Sequence, residues 1–413
     1  MFALPGGPAK LAVGAGIRAN DFEIFRGVGN INNARPSQDS RYAFGELNLP
    51  LVGPDMGLPL VHRLNVSAAL RYERYRQIGD IVTPKLGVIL APNDILDLKA
   101  SWGKSFRAPS FIQLYSIQQA LLYPVTTFGG TGYPAGSTAL YLTGGNSDLK
   151  PERARSWSGT LALHPPAWPG ASLEVSYFST RYVNRIVTPI PIASQALGNP
   201  SNSGQVTLSP TAAQLAALVA GADQFLNATP SAYDPARVVA IIDNSNVNAG
   251  RQRISGIDVQ ARYQTAFADG RLNLSASATY LDSEQQLSAG QPVQQLAGTL
   301  FNPPHWRGRG TASWDKGGLG LAVTLSHIGG VDDQRTASAG RVRGMTIADV
   351  SARYRIEGGH GPLGGVEVGL SIQNLFNVAP AVIATSLYYD TPYDSTNYSP
   401  VGRFVAFELV KRW

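Results

Sequence analysis

Few residues in this sequence are spaced for covalent chemistry. The five histidines, His62, His164, His305, His327 and His360, fall at no metal-ligand interval. There is no cysteine, which excludes thiolate nucleophiles, disulfides and cysteine-held zinc or iron-sulfur centres and fits an oxidising compartment. No nucleophile elbow, phosphate loop or dinucleotide fingerprint stands in context, and no metal or cofactor is expected. A strand serine paired with His164 or His327 is the one hydrolase arrangement left open, and nothing in the sequence places such a pair. Tyrosine, by contrast, concentrates in two segments: Tyr115, Tyr123, Tyr133 and Tyr141, then Tyr388, Tyr389, Tyr393 and Tyr398. Such rings can stack on a ligand and hydrogen-bond it through their hydroxyls, or can pack their own loops together. A second candidate set is charged: Arg107, Glu152, Asp258, Arg353, Arg403 and Glu408 are expected on the polar faces of alternating segments.

Those alternating segments are the elements that must position both sets. In 271–280, Leu272, Leu274, Ala276, Ala278 and Tyr280 share one face while Arg271, Asn273, Ser275, Ser277 and Thr279 share the other, the period of a two-faced strand. About fourteen such segments run from residue 10 to 413, many at roughly the 9 to 11 residues a tilted strand needs to cross a bilayer. Short connectors (52–60, 91–94, 164–171, 268–270, 315–318, 358–365) alternate with long ones (108–151, 189–250, 284–304, 330–344, 377–401). Short turns on one side and long loops on the other describe an outer-membrane barrel, with the long loops extracellular. Aromatic residues near strand ends, Trp102, Trp306 and Trp314 among them, suit interfacial girdles. Within the longest loop, 209–227 reads as a helix capped by Ser209 with Pro210 in its first turn, either lying over the mouth or packing the loop.

Composition agrees. Charged residues are only 15% of 413, against 44% hydrophobic, with 44 Gly, 28 Pro and a net charge of +6 carried singly rather than in a basic arm, which argues against nucleic acid. A soluble sandwich or propeller of this size would carry more charge on its wet faces. No run reaches the length of a transmembrane helix, and 1–16 lacks the compact apolar core of an export signal.

Five motifs then stand in order. Ser105 to Tyr115 resembles the FRAPS-type motif of TonB-dependent outer-membrane receptors. Asn146 to Glu152 is similar to that family's N-x-D-L-K-P-E run, Ser255 to Val259 to its S-G-x-D strand, and Asn374 to Asn377 to its N-L-F turn. Pro400 to Phe404, with Trp413 beyond, resembles its closing strand and terminal aromatic. The resemblance implies an all-β, transmembrane antiparallel barrel in which residues 1–413 are a single partial domain, the last fourteen of 22 strands, without the family's plug. It implies uptake of a scarce bulky ligand (siderophore, cobalamin or oligosaccharide) in the outer membrane of a Gram-negative bacterium. The implied partners are outer-membrane lipid, the barrel-assembly machinery and, only through the absent plug, the TonB complex; the six charged residues would face the plug. A passive pore or surface-binding barrel is the alternative. In the closing strand Val405, Phe407, Leu409 and Trp413 are expected to face lipid and Ala406, Glu408 and Arg412 the lumen, with Lys411 snorkelling to the interface.

Overall fold

The computed structural model describes residues 2–25, 35–76, 78–190, 192–334, 340–356, 364–384 and 391–411. Among these, fourteen strands follow one another as neighbours in one antiparallel sheet. They are β1 (Lys10–Asp21), β2 (Ser37–Val52), β3 (Arg63–Tyr75), β4 (Gly79–Ala91), β5 (Leu96–Arg107), β6 (Glu152–Leu163) and β7 (Ala171–Val187). There follow β8 (Val247–Phe267), β9 (Gly270–Gln286), β10 (Trp306–Lys316), β11 (Leu319–Ile328), β12 (Met345–Arg355), β13 (Val366–Gln373) and β14 (Phe404–Lys411). A two-residue strand, Gln294–Gln295, joins the upper end of β9. Every pairing in this sheet is between sequence neighbours, so each connection reverses the chain and the short and long connectors that the sequence marks separate to opposite ends; the brief connector 76–78 between β3 and β4 is an exception, lying at the long-loop end.

Register carries the alternation across the whole sheet. The row Leu272, Trp314, Leu321, Ala352, Leu370, Phe407 runs through six strands on one face. The row one residue away, Arg271, Asp315, Gly320, Arg353, Gly369, Glu408, is polar and belongs to the other. The apolar face is left bare: Val323, Leu325, Phe407 and Leu409 are all exposed. A soluble sheet would have to cover them, whereas lipid does so while the backbone pairs strand to strand from β1 to β14; among the described residues no ladder joins those two terminal strands to each other.

At the short-turn end the chain uses tight hairpins. Ala268 and Asp269, at φ 51 and 58, form the two-residue loop between β8 and β9, with the left-handed backbone at both positions that matches strand twist. Gly256 is required for a different reason: a Cβ there would lie 2.8 Å from the ring of Phe178, its ladder partner, and 2.4 Å from the Tyr280 carbonyl.

The closing strand has the expected faces over 404–411, with Val405, Phe407 and Leu409 exposed on the apolar side and Ala406 and Glu408 on the polar side. Lys411 donates to the Gly364 carbonyl in the adjacent turn. Arg412 and Trp413 lie outside the described residues. Phe407→Arg, placing a cation on the lipid face, should cost roughly 2–4 kcal/mol near mid-membrane and less toward the interface, while Glu408→Gln on the wet face should be nearly silent. Heat-modifiable gel mobility of the refolded variants reads the difference; equal tolerance would mean that the register or the membrane assignment is wrong.

Candidate functional site

The long-loop end is organised by the motif residues themselves. Arg107, the last residue of β5, donates to both carboxylate oxygens of Glu152, the first residue of β6, at 2.9 and 2.7 Å. Glu152 also accepts from the Ile186 backbone N–H on β7 at 2.9 Å, so one buried carboxylate joins three strands where two loops begin. Ser110 and Gln113 form a reciprocal capping box on the short helix α1 (Phe111–Tyr115). Asn146 turns the chain by accepting from Asp148 N–H and donates to Asn246 C=O. Lys150 and Asn248 exchange two further bonds. The motif residues thus form a collar that fixes the roots of both large loops.

Above the collar the two loops fold together. Strands Val206–Leu208, Val238–Asp243, Thr138–Thr143, Gln119–Pro124 and Gln224–Asn227 form a second sheet in that order, with parallel pairings between residues about a hundred positions apart. One side packs Val125, Phe128, Ile190 and Ile242; the other packs Leu122, Leu140 and Ile241 against Leu215 of helix α2 (Ala212–Gly221). The helix is shorter than 209–227, and its cap is Thr211, which accepts from Gln214 N–H, rather than Ser209. Ser209 sits at φ 51 in the turn before it, and 224–227 extends as a strand because it finds an edge to pair with. With Leu215 fully buried against its own sheet, the helix is a packing element of the loop domain.

A second loop cluster gathers around Leu300, Val331, Val342, Met345, Ile383 and Tyr398. Its polar centre is Asp394, fully buried, which accepts from the backbone N–H groups of Phe301, Thr396 and Asn397 and from the Asn397 amide. Asn397 in turn accepts from Arg307 at 2.8 Å and donates to Asn302 C=O. This network ties the last long loop to the loop before β10.

The eight tyrosines separate accordingly. Tyr123 and Tyr141 pack edge-on and face-on against Phe128, and the Tyr141 hydroxyl accepts from Asn244. Tyr398 is 3% exposed and donates to Gly329 C=O at 2.7 Å; burial first, then the charge of Asp394, pushes its phenol above the ordinary value. These three are structural in this arrangement. Tyr115 stacks against Phe111, itself stacked on Phe22 of the first loop; Tyr393 is half-buried, and Tyr133 is exposed. Tyr388 and Tyr389 lie outside the described residues.

Of the six charged residues, five take the polar face. Besides the collar pair, Asp258 accepts from Thr279 at 2.6 Å, Arg353 donates to Asp315 at 2.8 Å, and Glu408 is exposed beside Gly369. Arg353 reaches Asp315 two strands away by lying over Gly320, where a Cβ would come within 2.5 Å of its Nε. Arg403 departs from expectation: it precedes β14, so no ladder assigns it a face, and its backbone N–H donates to Asn377 in the loop. No cluster that could hold a metal occurs among the described residues.

Residues 5–375 match the family described as TonB dependent receptor-like, beta-barrel. The chain belongs to this family. Its barrel strands superpose on the siderophore receptor PirA from Acinetobacter baumannii (16% identity, 99% of this chain and 52% of that one, TM-score 0.65). It is similar also to a ferric enterobactin receptor, PfeA, mutant from Pseudomonas aeruginosa (17%, 97% and 51%, 0.63) and to the FrpB iron transporter from Neisseria meningitidis (14%, 97% and 52%, 0.56). The chain therefore spans about half the length of these structures. No curated protein sequence matches it significantly.

TonB-dependent receptor barrels are transport proteins of the Gram-negative outer membrane, not enzymes, which makes the apolar face lipid-facing and the loop clusters extracellular. The sequence did not reveal the Asp394 network, although Asp-Ser-Thr-Asn over 394–397 carries the turn chemistry that builds it. Asp394→Ala removes an acceptor shared by four donors, each bond to a carboxylate being worth roughly 1.5–3 kcal/mol. Hydrogen exchange at the N–H groups of Phe301, Thr396 and Asn397 should accelerate by on the order of thirtyfold or more, with β8 and β9 unchanged. Acceleration spread through the barrel strands would show that the network supports the sheet rather than the loops.

Proposed function

We propose that residues 1–413 form one partial barrel domain of an energised receptor that takes up a scarce, bulky ligand, with a ferric siderophore as the favoured class over cobalamin or an oligosaccharide. The observation that carries this reading is the build of the extracellular end: two folded loop clusters on a TonB-dependent receptor barrel, each offering a cation and an aromatic ring. Arg237, which also pairs with Asp234 at 3.6 Å, and Tyr133 are exposed on the first, while exposed Arg341 and Arg343 and half-buried Tyr393 lie on the second. Anionic, aromatic ferric chelates suit such pairs by charge and by ring stacking. The structures named above as siderophore, enterobactin and iron proteins agree with that class.

On this reading Arg107, Glu152, Asp258, Arg353 and Glu408 line a wet lumen in which a plug would be held, and energy from the TonB complex would act through that plug. Lipid on the outer face and the barrel-assembly machinery at β14 complete the set of partners. The test is saturable binding of a ferric catecholate to the chain refolded in vesicles, followed by quenching of intrinsic fluorescence. Tyr133→Ala and Arg341→Ala should each weaken binding roughly fivefold, about 1 kcal/mol for one stacked ring or one surface cation. Saturable binding of cobalamin or an oligosaccharide instead would replace the ligand class, and ion conductance without binding of any of them would favour the passive pore.

A further inference from the structure

The outer face carries a feature that neither loop cluster nor lumen explains. Lys104 on β5, Arg155 on β6, Arg181 on β7 and Arg253 on β8 are successive ladder partners: Lys104 opposite Arg155, Arg155 opposite Arg181, Arg181 opposite Arg253. They share the face of Trp102, Trp157, Tyr177 and Ile257, so they point outward from the barrel and not into it. All four are exposed. Among the described residues none of the four makes an ion pair with a carboxylate, and the first acidic residue in the row is Glu284 on β9, the ladder partner of Arg253. Two more exposed arginines, Arg153 and Arg251, stand two residues farther toward the loops on β6 and β8.

Like charges directly opposite on neighbouring strands destabilise a sheet. Strands lie about 4.8 Å apart, so four of them set four cations along about 15 Å with no protein counter-charge between. The level of the row is fixed by its neighbours. Two residues deeper on the same strands, Trp102 and Trp157 are ladder partners at the girdle, and the Lys104 ammonium lies 6.0 Å over the Trp102 ring. Three residues shallower, β5 ends at Arg107 and the extracellular loop begins. The row therefore sits at head-group height in the outward leaflet, where arginine forks match phosphate oxygens in pairs.

We propose that this row is a binding site for the phosphate groups of a phosphorylated glycolipid in the outer leaflet, with Arg155 and Arg181 at its centre and Arg153 and Arg251 reaching the upper part of the head group. The lipid supplies the counter-charge that the ladder lacks from Lys104 to Arg181, Glu284 standing opposite Arg253 at the far end of the row, and its acyl chains lie on the apolar rows below.

The site is tested on the refolded chain in detergent by native mass spectrometry with added lipid A, its dephosphorylated form, and inorganic phosphate as competitor. The wild-type chain should retain bis-phosphorylated lipid A and bind the dephosphorylated form at least roughly tenfold more weakly, since the charged contacts are then lost. The triple change Arg155→Gln, Arg181→Gln, Arg253→Gln should lose the adduct, while Arg155→Lys, Arg181→Lys, Arg253→Lys should keep most of it, both with wild-type heat-modifiable mobility. Equal retention of both lipids by the wild-type chain would overturn the proposal without reference to any variant. So would an adduct that survives the glutamine triple, and displacement by millimolar inorganic phosphate alone would overturn the lipid as the source of the phosphate.

Discussion

A strand in lipid has no water to turn to, so each N–H and C=O must be met by the neighbouring strand. That single requirement sets most of what is seen in this chain. It forces continuous ladders from β1 to β14, and a ladder of period two forces every residue onto one of two faces. Once the Leu272 to Phe407 row is given to lipid, the row of Arg271, Asp315, Arg353 and Glu408 has only the wet side left. Slipping one strand by a residue would put several charges into hydrocarbon at once, so the charged residues hold the register more firmly than any apolar contact does.

The requirement lapses where strands leave the membrane, and the chain changes character there. In the long loops the backbone may pair in parallel, and Gln224–Asn227 does so with Gln119–Pro124. Packing also becomes conventional, with a buried helix face and two apolar layers about one sheet. The loop fold is built on tied roots: Arg107, Glu152 and the Ile186 N–H hold β5, β6 and β7 together at the level where both loops start.

This division decides what could be read from the sequence. The fourteen strands, their faces and the side of most connectors were legible because all depend on alternation and on distances of a few residues, whereas the brief connector 76–78 gave no length by which to place it. The loop domain was not legible. Leu121, Leu140 and Ile241 lie in short apolar runs that read equally as loop packing, and each pairs with a strand about a hundred residues away, Leu121 with Leu226 and Leu140 with Ile241. The cap on Ser209 failed for a local reason, because Thr211 with Gln214 makes a reciprocal pair that Ser209 at φ 51 cannot make. Tyrosine clustering could not separate the roles of its members, since burial of Tyr123, Tyr141 and Tyr398 is a property of the folded loops.

Glu152 is buried while Arg107 is half-exposed, so the pair carries a desolvation cost that its bonds largely offset, and a net gain in stability is a poor reason for it. Its bonds do something an apolar pair of equal volume would not. The carboxylate takes two bonds from one strand and one from another, so β5 and β7 cannot shift relative to β6 without breaking charge-assisted contacts. The loop domain hangs from those same three strands. A load on the loops therefore passes directly into the barrel wall, and the wall below continues the connection through Lys99 and Glu174, which bridge β5 and β7 at 3.0 Å across β6. A barrel that had only to stay folded would need neither contact; one in which the mouth and the lumen must hold a fixed relation needs both.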